Sequence, residues 1–365
     1  MTYLNHAGTS WPKPAPVRRA VAEALDSSPS DWSASFERAH RTVTRFLGIP
    51  DPGRLLLTPG CTSALALAIG AVPWEAGDRV VVSHLEHHAL YGPVQRLRER
   101  GVEGVVVPRG ESTPLDLDAL RDALRGGRVR LVAMTAACNV TGECLPIEEI
   151  VAAAHEHGAL CLIDGAQAVG WLPLDLAALE VDLFAFAGHK GLQAPWGIGG
   201  LVVAPNVSLA TVSAACELPR DGGAPACAPM PGYCDGGSVD RAALAGLAAG
   251  IEWLEHPDRA DRLMRARALV DTVARELEAC PAIRLHGAAS GERLPTLALT
   301  LEGRPSGDVA ADLARRGITV GSGLQCAPLA HEALGTSSTG AVRISVGPAT
   351  GEGEVEGLLA AFREL

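Results

Sequence analysis

The sequence predicts an α/β protein in which a mostly parallel sheet covered by helices is followed by a smaller α+β lobe. Two observations carry this expectation. From residue 54 to about 205, short apolar runs alternate with segments of helical period, the pattern of a parallel sheet buried on both faces. Beyond about residue 255 that alternation stops, and short strands mix with single helices. Size agrees: the chain has 365 residues, 47% of them hydrophobic, enough for a sizeable core in two lobes.

The elements follow in order. "RLLL" precedes the helical "TSALALAIGAV", "RVVVS" precedes "ALYGPVQRLRER", and "GVVVP" precedes "LDALRDALR". "RLVAMT" precedes "PIEEIVAAAHEHG", and the strand-like "ALCLID" and "DLFAFAG" come next. The helix at 146–157 is well punctuated, with Pro146 at its first position and Gly158 just past its end. Its apolar residues Ile147, Ile150, Val151 and Ala154 fall on one face. Residues 216–238 are rich in Gly and Pro and read as a long surface loop. A helical stretch follows near 239–279. Then come the strands "AIRLHG" and "PTLALTLEG", a helix at 306–316, the short strand "GITVG", the strand "AVRISVG" and a final helix. The expected division is an N-terminal segment at 1–15 packing on the small domain, a large domain at 16–255 and a small domain at 256–365.

The formal net charge is −11, with no block of lysine or arginine, which argues against a nucleic-acid or membrane-surface protein. The N-terminus shows no basic region followed by an apolar one, and no apolar run approaches the roughly 20 residues that span a bilayer. A cytoplasmic location is expected. The nine cysteines show no zinc-like pairing; the nearest set, Cys216, Cys227 and Cys234, is spaced too widely. His84, His87 and His88 are spaced so that a helix would cluster them, but no H-E-x-x-H pattern accompanies them.

Three strand ends carry chemistry. In open α/β sheets, ligands bind at the carboxyl ends of the strands. "TPGCTS" ends one strand and opens a helix; Gly60 admits a ligand close to the backbone, and the helix N-terminus suits a phosphate. Asp164 follows "ALCLI", and Lys190 follows "DLFAFAGH". The chain has 31 basic residues, of which only Lys13 and Lys190 are lysines. Arginine keeps its proton and cannot act as an amine nucleophile, so a retained Lys190 points to Schiff-base chemistry. Lys13, in "WPKPAP", reads as an ordinary surface residue. A phosphate cradle, an imine-forming lysine and a carboxylate for a pyridinium nitrogen together match pyridoxal 5'-phosphate (PLP).

At this point the sequence resembles the class V aminotransferase family of fold type I PLP enzymes, nearest its cysteine desulfurase and selenocysteine lyase branch. The resemblance rests on "YLNHAGTSWPKP", "LTPGCTSALALAI", "EHHAL", "NVTG", "DGAQ", "GHKG", "GLQCAPLAH" and "VRISVG", which occur in the family's order across nearly the whole chain. It implies that Lys190 forms the Schiff base, Asp164 pairs with the pyridine nitrogen, and Gln167 hydrogen-bonds the phenolic oxygen. It implies that His87 stacks on the ring and that Cys61 and Thr62 hold the phosphate with help from His189. Ser238 would reach the phosphate of a partner subunit, which implies a homodimer. Asn139 would lie near the cofactor oxygen and substrate, and Arg343 would grip the substrate α-carboxylate, a task suited to its fork of donors. Cys326 stands where the branch carries a nucleophilic cysteine that takes sulfur from L-cysteine, leaving alanine and an enzyme persulfide for a sulfur-acceptor protein. Such a cysteine needs an accessible thiolate on a mobile loop, with which Gly321 and Gly323 are consistent.

Three departures stand beside the resemblance. Ala187 replaces a family Ser or Thr, Gly321 and Gln325 replace an Arg and a His before the cysteine, and the family's "R-G-x-H" stretch is absent from "SSPSDWSASFERAH". They leave a second expectation open, another PLP reaction such as C–S β-elimination, transamination or epimerisation. A third is a non-catalytic scaffold, against which Lys190 counts.

Overall fold

A computed structural model describes residues 1–208, 239–287 and 291–365. The expected surface loop at 216–238, Ser238 and the three cysteines Cys216, Cys227 and Cys234 lie outside the described residues.

The main sheet has seven strands: β2 (Leu55–Thr58), β3 (Arg79–Ser83), β4 (Glu103–Val107), β5 (Val129–Thr135), β6 (Leu160–Asp164), β7 (Leu183–Ala187) and β8 (Gly199–Val203). Across the sheet their order is β2-β8-β7-β6-β5-β3-β4. All neighbours run parallel except those of β8, which is antiparallel to both β2 and β7. The expectation of a mostly parallel sheet covered by helices holds. The sequence reading passed over β8, because "GGLVV" begins with two glycines, which carry no strand signal.

Strand alternation divides the core between the two faces. Val132, Met134, Cys161, Ile163, Phe184 and Phe186 pack on one face. There they meet α2 (Trp32–Phe46), α5 (Leu117–Arg125), α6 (Ile147–Glu156) and α7 (Arg241–Leu254). Leu131, Ala133, Leu162, Leu183 and Ala185 pack on the other, against α3 (Cys61–Ala71) and α4 (His88–Arg96). In α6 the anticipated apolar stripe, Ile147, Ile150, Val151 and Ala154, is buried. Pro146 serves as the N-cap rather than the first helical residue, and Gly158 follows the helix with a left-handed φ of 70°.

The helical stretch at 239–279 resolves into α7 and α8 (Arg259–Glu278). A separate core gathers α8, β9 (Ile283–His286), β10 (Thr296–Leu301), α9 (Ser306–Arg315), β11 (Ile318–Thr319), β12 (Val342–Ser345) and α10 (Glu352–Phe362). Strands β9, β10 and β12 form an antiparallel sheet with β10 in the middle. The N-terminus begins with β1 (Thr2–Tyr3), which pairs in parallel with β11 and inserts Leu4 into this core. It continues into α1 (Ala15–Asp26), which packs against α7.

Candidate active site

The register of the central strands gathers the polar groups. Thr135 at the end of β5 sits beside Asp164 at the end of β6, and Asp164 sits beside Ala185 in β7. Ala187, Gly199 and Thr58 close β7, β8 and β2 side by side. Above these strand ends lies a cavity of about 490 Å³. Lys190, Cys326, His87, Cys61, Thr62, Asn139, Asp164, Gln167, His189 and Arg343 all line it, as do Ala187 and Gln325. Ten of the eleven residues named from the sequence therefore share one wall, though they come from positions 61 to 343.

Asp164 is 3% exposed, and its Oδ1 accepts the Ala166 N–H at 2.9 Å and the Cys61 thiol at 3.3 Å. Burial pushes that thiol well above its ordinary range, and the Asp164 charge adds to the effect, so Cys61 is a protonated donor. Lys190 borders the cavity but is closely packed by protein, and burial lowers its ammonium pKa against the opposing pull of Asp164.

His87 caps α4: its Nδ1 accepts the Ala89 N–H at 3.0 Å, so Nε2 carries the proton. Burial, then the charge of Lys190, push its pKa down to about 4, which keeps the ring neutral near pH 7. The three histidines His84, His87 and His88 do not share a helix, because the helix starts at His88 and His84 lies in the turn before it.

Arg343 is 5% exposed; it donates to the Asn139 carbonyl and to Asn5 Oδ1, each at 2.8 Å, while its Nε has no partner among the described residues. Burial draws its pKa down to about 10, and it remains a cation at neutral pH. Asn139 Nδ2 donates to the Gln325 carbonyl at 2.7 Å, and its Oδ1 is buried without a partner. Gln167 donates from Nε2 to the Ala7 carbonyl at 2.9 Å.

Cys326 is exposed at the cavity, with φ of 57° following Gln325 at 40°. This strained pair is held by its neighbours. The Cys326 carbonyl accepts from His88 N–H at 2.6 Å, and the Gln325 amide bonds the Ala341 carbonyl at 2.7 Å and His331 at 2.9 Å. Of the two glycines before it, Gly323 takes a left-handed φ of 81° with open space around it, while Gly321 is closely packed. Gly321 forms a bridge with Arg343, where a Cβ would lie 3.0 Å from Asn5 Oδ1 and 3.1 Å from Arg343 Nε.

Sequence reasoning missed the N-terminal contributors. Asn5, Ala7, Thr9 and Lys13 all bond site residues, and Lys13 corrects the surface reading given to it. Their signal was present in "YLNHAGTSWPKP", but the contacts span more than 150 positions and no local pattern records them.

The residues fit PLP on observations of the site itself. The N-terminus of α3 presents the free N–H groups of Cys61 to Ser63 to the cavity, where a phosphate is favoured. A Cβ on Gly60 would meet no protein atom within 4 Å, and the Asn139 oxygen awaits a donor.

The family model for class-V aminotransferases matches residues 14–358. The chain is 32% identical to a probable cysteine desulfurase of Vibrio cholerae over 100% of this chain and 93% of that one. It is also 32% identical to a probable cysteine desulfurase of Mycolicibacterium paratuberculosis, covering 84% of this chain but 45% of the relative's length. The crystal structure of the cysteine desulfurase CsdA from Escherichia coli superimposes with a TM-score of 0.86 at 26% identity, over 99% of this chain and 94% of that one. The fold and its cavity are those of a fold type I enzyme. The chain belongs to the class V aminotransferase family.

Proposed function

We propose that this chain is a PLP-dependent cysteine desulfurase, converting L-cysteine and the Cys326 thiol into L-alanine and a Cys326 persulfide. The observation that carries the reading is one cavity lined by Lys190, Asp164, Arg343 and the exposed thiol of Cys326. Relatives at 30–32% identity that bear the desulfurase name support it.

PLP, when bound, supplies an electron sink for a substrate carbanion. Asp164, fixed by the Ala166 N–H, would hold a proton on the pyridine nitrogen. Lys190, with its lowered pKa, has more free amine than an exposed lysine, and its Nζ accepts the substrate Cα proton. Arg343 would bind the α-carboxylate, and the neutral ring of His87 would pack against the cofactor. Gln167 would hydrogen-bond the phenolic oxygen, and Cys61, Thr62 and His189 would hold the phosphate. The Cys326 thiolate attacks the substrate sulfur. A sulfur–sulfur bond forms, the substrate carbon–sulfur bond breaks, and the departing electron pair is protonated to give alanine. The persulfide then passes its sulfur to an acceptor protein.

We read residues 1–15, 16–255 and 256–365 as the arm, the large domain and the small domain. We read the enzyme as a cytoplasmic homodimer in which Ser238 reaches the partner's phosphate. Among the described residues, no helix is long and apolar enough to cross a membrane.

Gln325 favours a second reading, another PLP reaction on an amino acid. Its amide is engaged by Ala341 and His331, so position 325 offers Cys326 neither acid nor base. One experiment separates the two readings: protein loaded with PLP is given L-cysteine and the products are identified. Alanine is expected, with at least a 100-fold loss in Cys326→Ala and unchanged PLP binding. Pyruvate and ammonia, or full alanine output from that variant, would overturn the persulfide route. Light scattering on the same sample should give twice the chain mass.

A further inference from the structure

The two lysines of the chain meet at one peptide. The carbonyl of His189, the residue before Lys190, is approached by Lys13 Nζ at 2.9 Å, Ser10 N–H at 3.0 Å, Thr9 Oγ1 at 3.0 Å and Ser10 Oγ at 3.1 Å. Lys13 also donates to Ser10 Oγ at 2.7 Å, and the Trp196 ring lies 5.7 Å from its Nζ. Thr9 Oγ1 is within 3.1 Å of His189 Nδ1 as well. Its hydroxyl has one proton and two acceptors in reach, the His189 carbonyl and the His189 ring.

A carbonyl oxygen has two lone pairs. With the Ser10 N–H and the Lys13 ammonium on them, the Thr9 proton is left for Nδ1. The second ring nitrogen, Nε2, must then carry hydrogen in the neutral imidazole. An N–H donor is what a phosphate oxygen accepts. The compact ammonium suits a half-buried pocket that offers two separate oxygens, whereas a guanidinium fork suits paired acceptors. This accounts for a second lysine in a chain that otherwise uses arginine.

We propose that Lys13 is a positioning residue: by occupying the His189 carbonyl it fixes the Nε2–H form of His189 and the backbone that carries Lys190. The proposal rests on the PLP reading above. Its test is a double-mutant cycle on the full-length protein, stripped of PLP and titrated with it. Lys13→Met and Thr9→Val should each weaken PLP binding about tenfold or more, and the double variant should be little worse than either, because both remove the same donor arrangement. Peptides spanning 186–193 in the Lys13→Met apoprotein should exchange amide hydrogens several-fold faster, a readout independent of activity. If Lys13→Met does not fold, Lys13→Gln replaces it in the cycle. Affinity within twofold of the unsubstituted protein, or fully additive losses, would overturn the proposal. Failure of the unsubstituted protein to bind PLP would instead sink the cofactor reading.

Discussion

At the scale of single residues, the cavity is shaped as much by what is missing as by what is present. Gly321 stands where the family resemblance leads one to expect an arginine, and its backbone lies against Asn5 and Arg343. A methyl group there would press on the guanidinium that the reading assigns to the substrate carboxylate. Gly321→Ala should therefore raise KM for L-cysteine about tenfold while kcat falls less, since the displaced group binds ground state and transition state alike. Steady-state kinetics across substrate concentrations checks this; an unchanged KM would remove Arg343 from the carboxylate role. Chemistry-bearing residues of this kind were legible in the sequence where the residue type is unusual in its setting. Lys190 stood out in a chain of arginines, and Asp164 at a strand end. Asn5, Thr9 and Lys13 were not legible, because their work is to bond residues far along the chain, and small polar residues near a terminus look alike whatever they touch.

At the scale of elements, the alternation of strand and helix in the first two thirds of the chain was readable because each buried strand is a run of β-branched and aliphatic residues. Strand β8 escaped for the reason that makes it useful. A Cβ on Gly199 would lie 2.4 Å from the Phe186 carbonyl and 2.9 Å from the Gly60 backbone, so this antiparallel strand can lie against the turn that opens α3 only without a side chain. A glycine chosen for close approach carries no strand signal. Gly199→Ala should push on the Gly60 turn, destabilising the protein by about 2 kcal/mol, within the overpacking range. PLP affinity should fall along with it, because the displaced turn sets the α3 amides. Denaturant unfolding and PLP titration of the same sample check both effects, and a stable variant with ordinary affinity would break the link between β8 and the cradle.

At the scale of the whole molecule, burial of imidazoles couples stability to pH. His6, His84, His87, His189 and His286 each have their pKa lowered to about 4, burial being the largest cause at every one. An imidazole in the unfolded chain titrates near 6.5. Between about pH 6.5 and pH 4 the unfolded chain therefore binds more protons at these sites, and the stability they contribute, complete above 6.5, is lost on acidification. Glu86 acts in the opposite sense. Burial raises its carboxyl to about 8, so its contribution is present below its ordinary value near 4.5 and is lost as the pH rises toward 8. Five histidines outnumber one carboxyl in the acidic window. His84 and His286 are the firmest of them, being 4% and 7% exposed, while His6, His87 and His189 are less completely buried. Two fully offset protons against one leave a net slope of about 1 kcal/mol per pH unit near pH 5. Urea unfolding of the PLP-free protein should show the midpoint falling from pH 6 to pH 5, whereas between pH 7 and pH 6 the gain at Glu86 offsets the loss at the histidines. His84 is buried, with at most a weak bond from its ring to the Val107 backbone, so His84→Phe removes a buried polar ring and should flatten that fall with little loss at pH 7. A midpoint that holds steady from pH 7 to pH 5 would mean that these imidazoles take up protons in the folded protein, which the burial of His84 and His286 opposes.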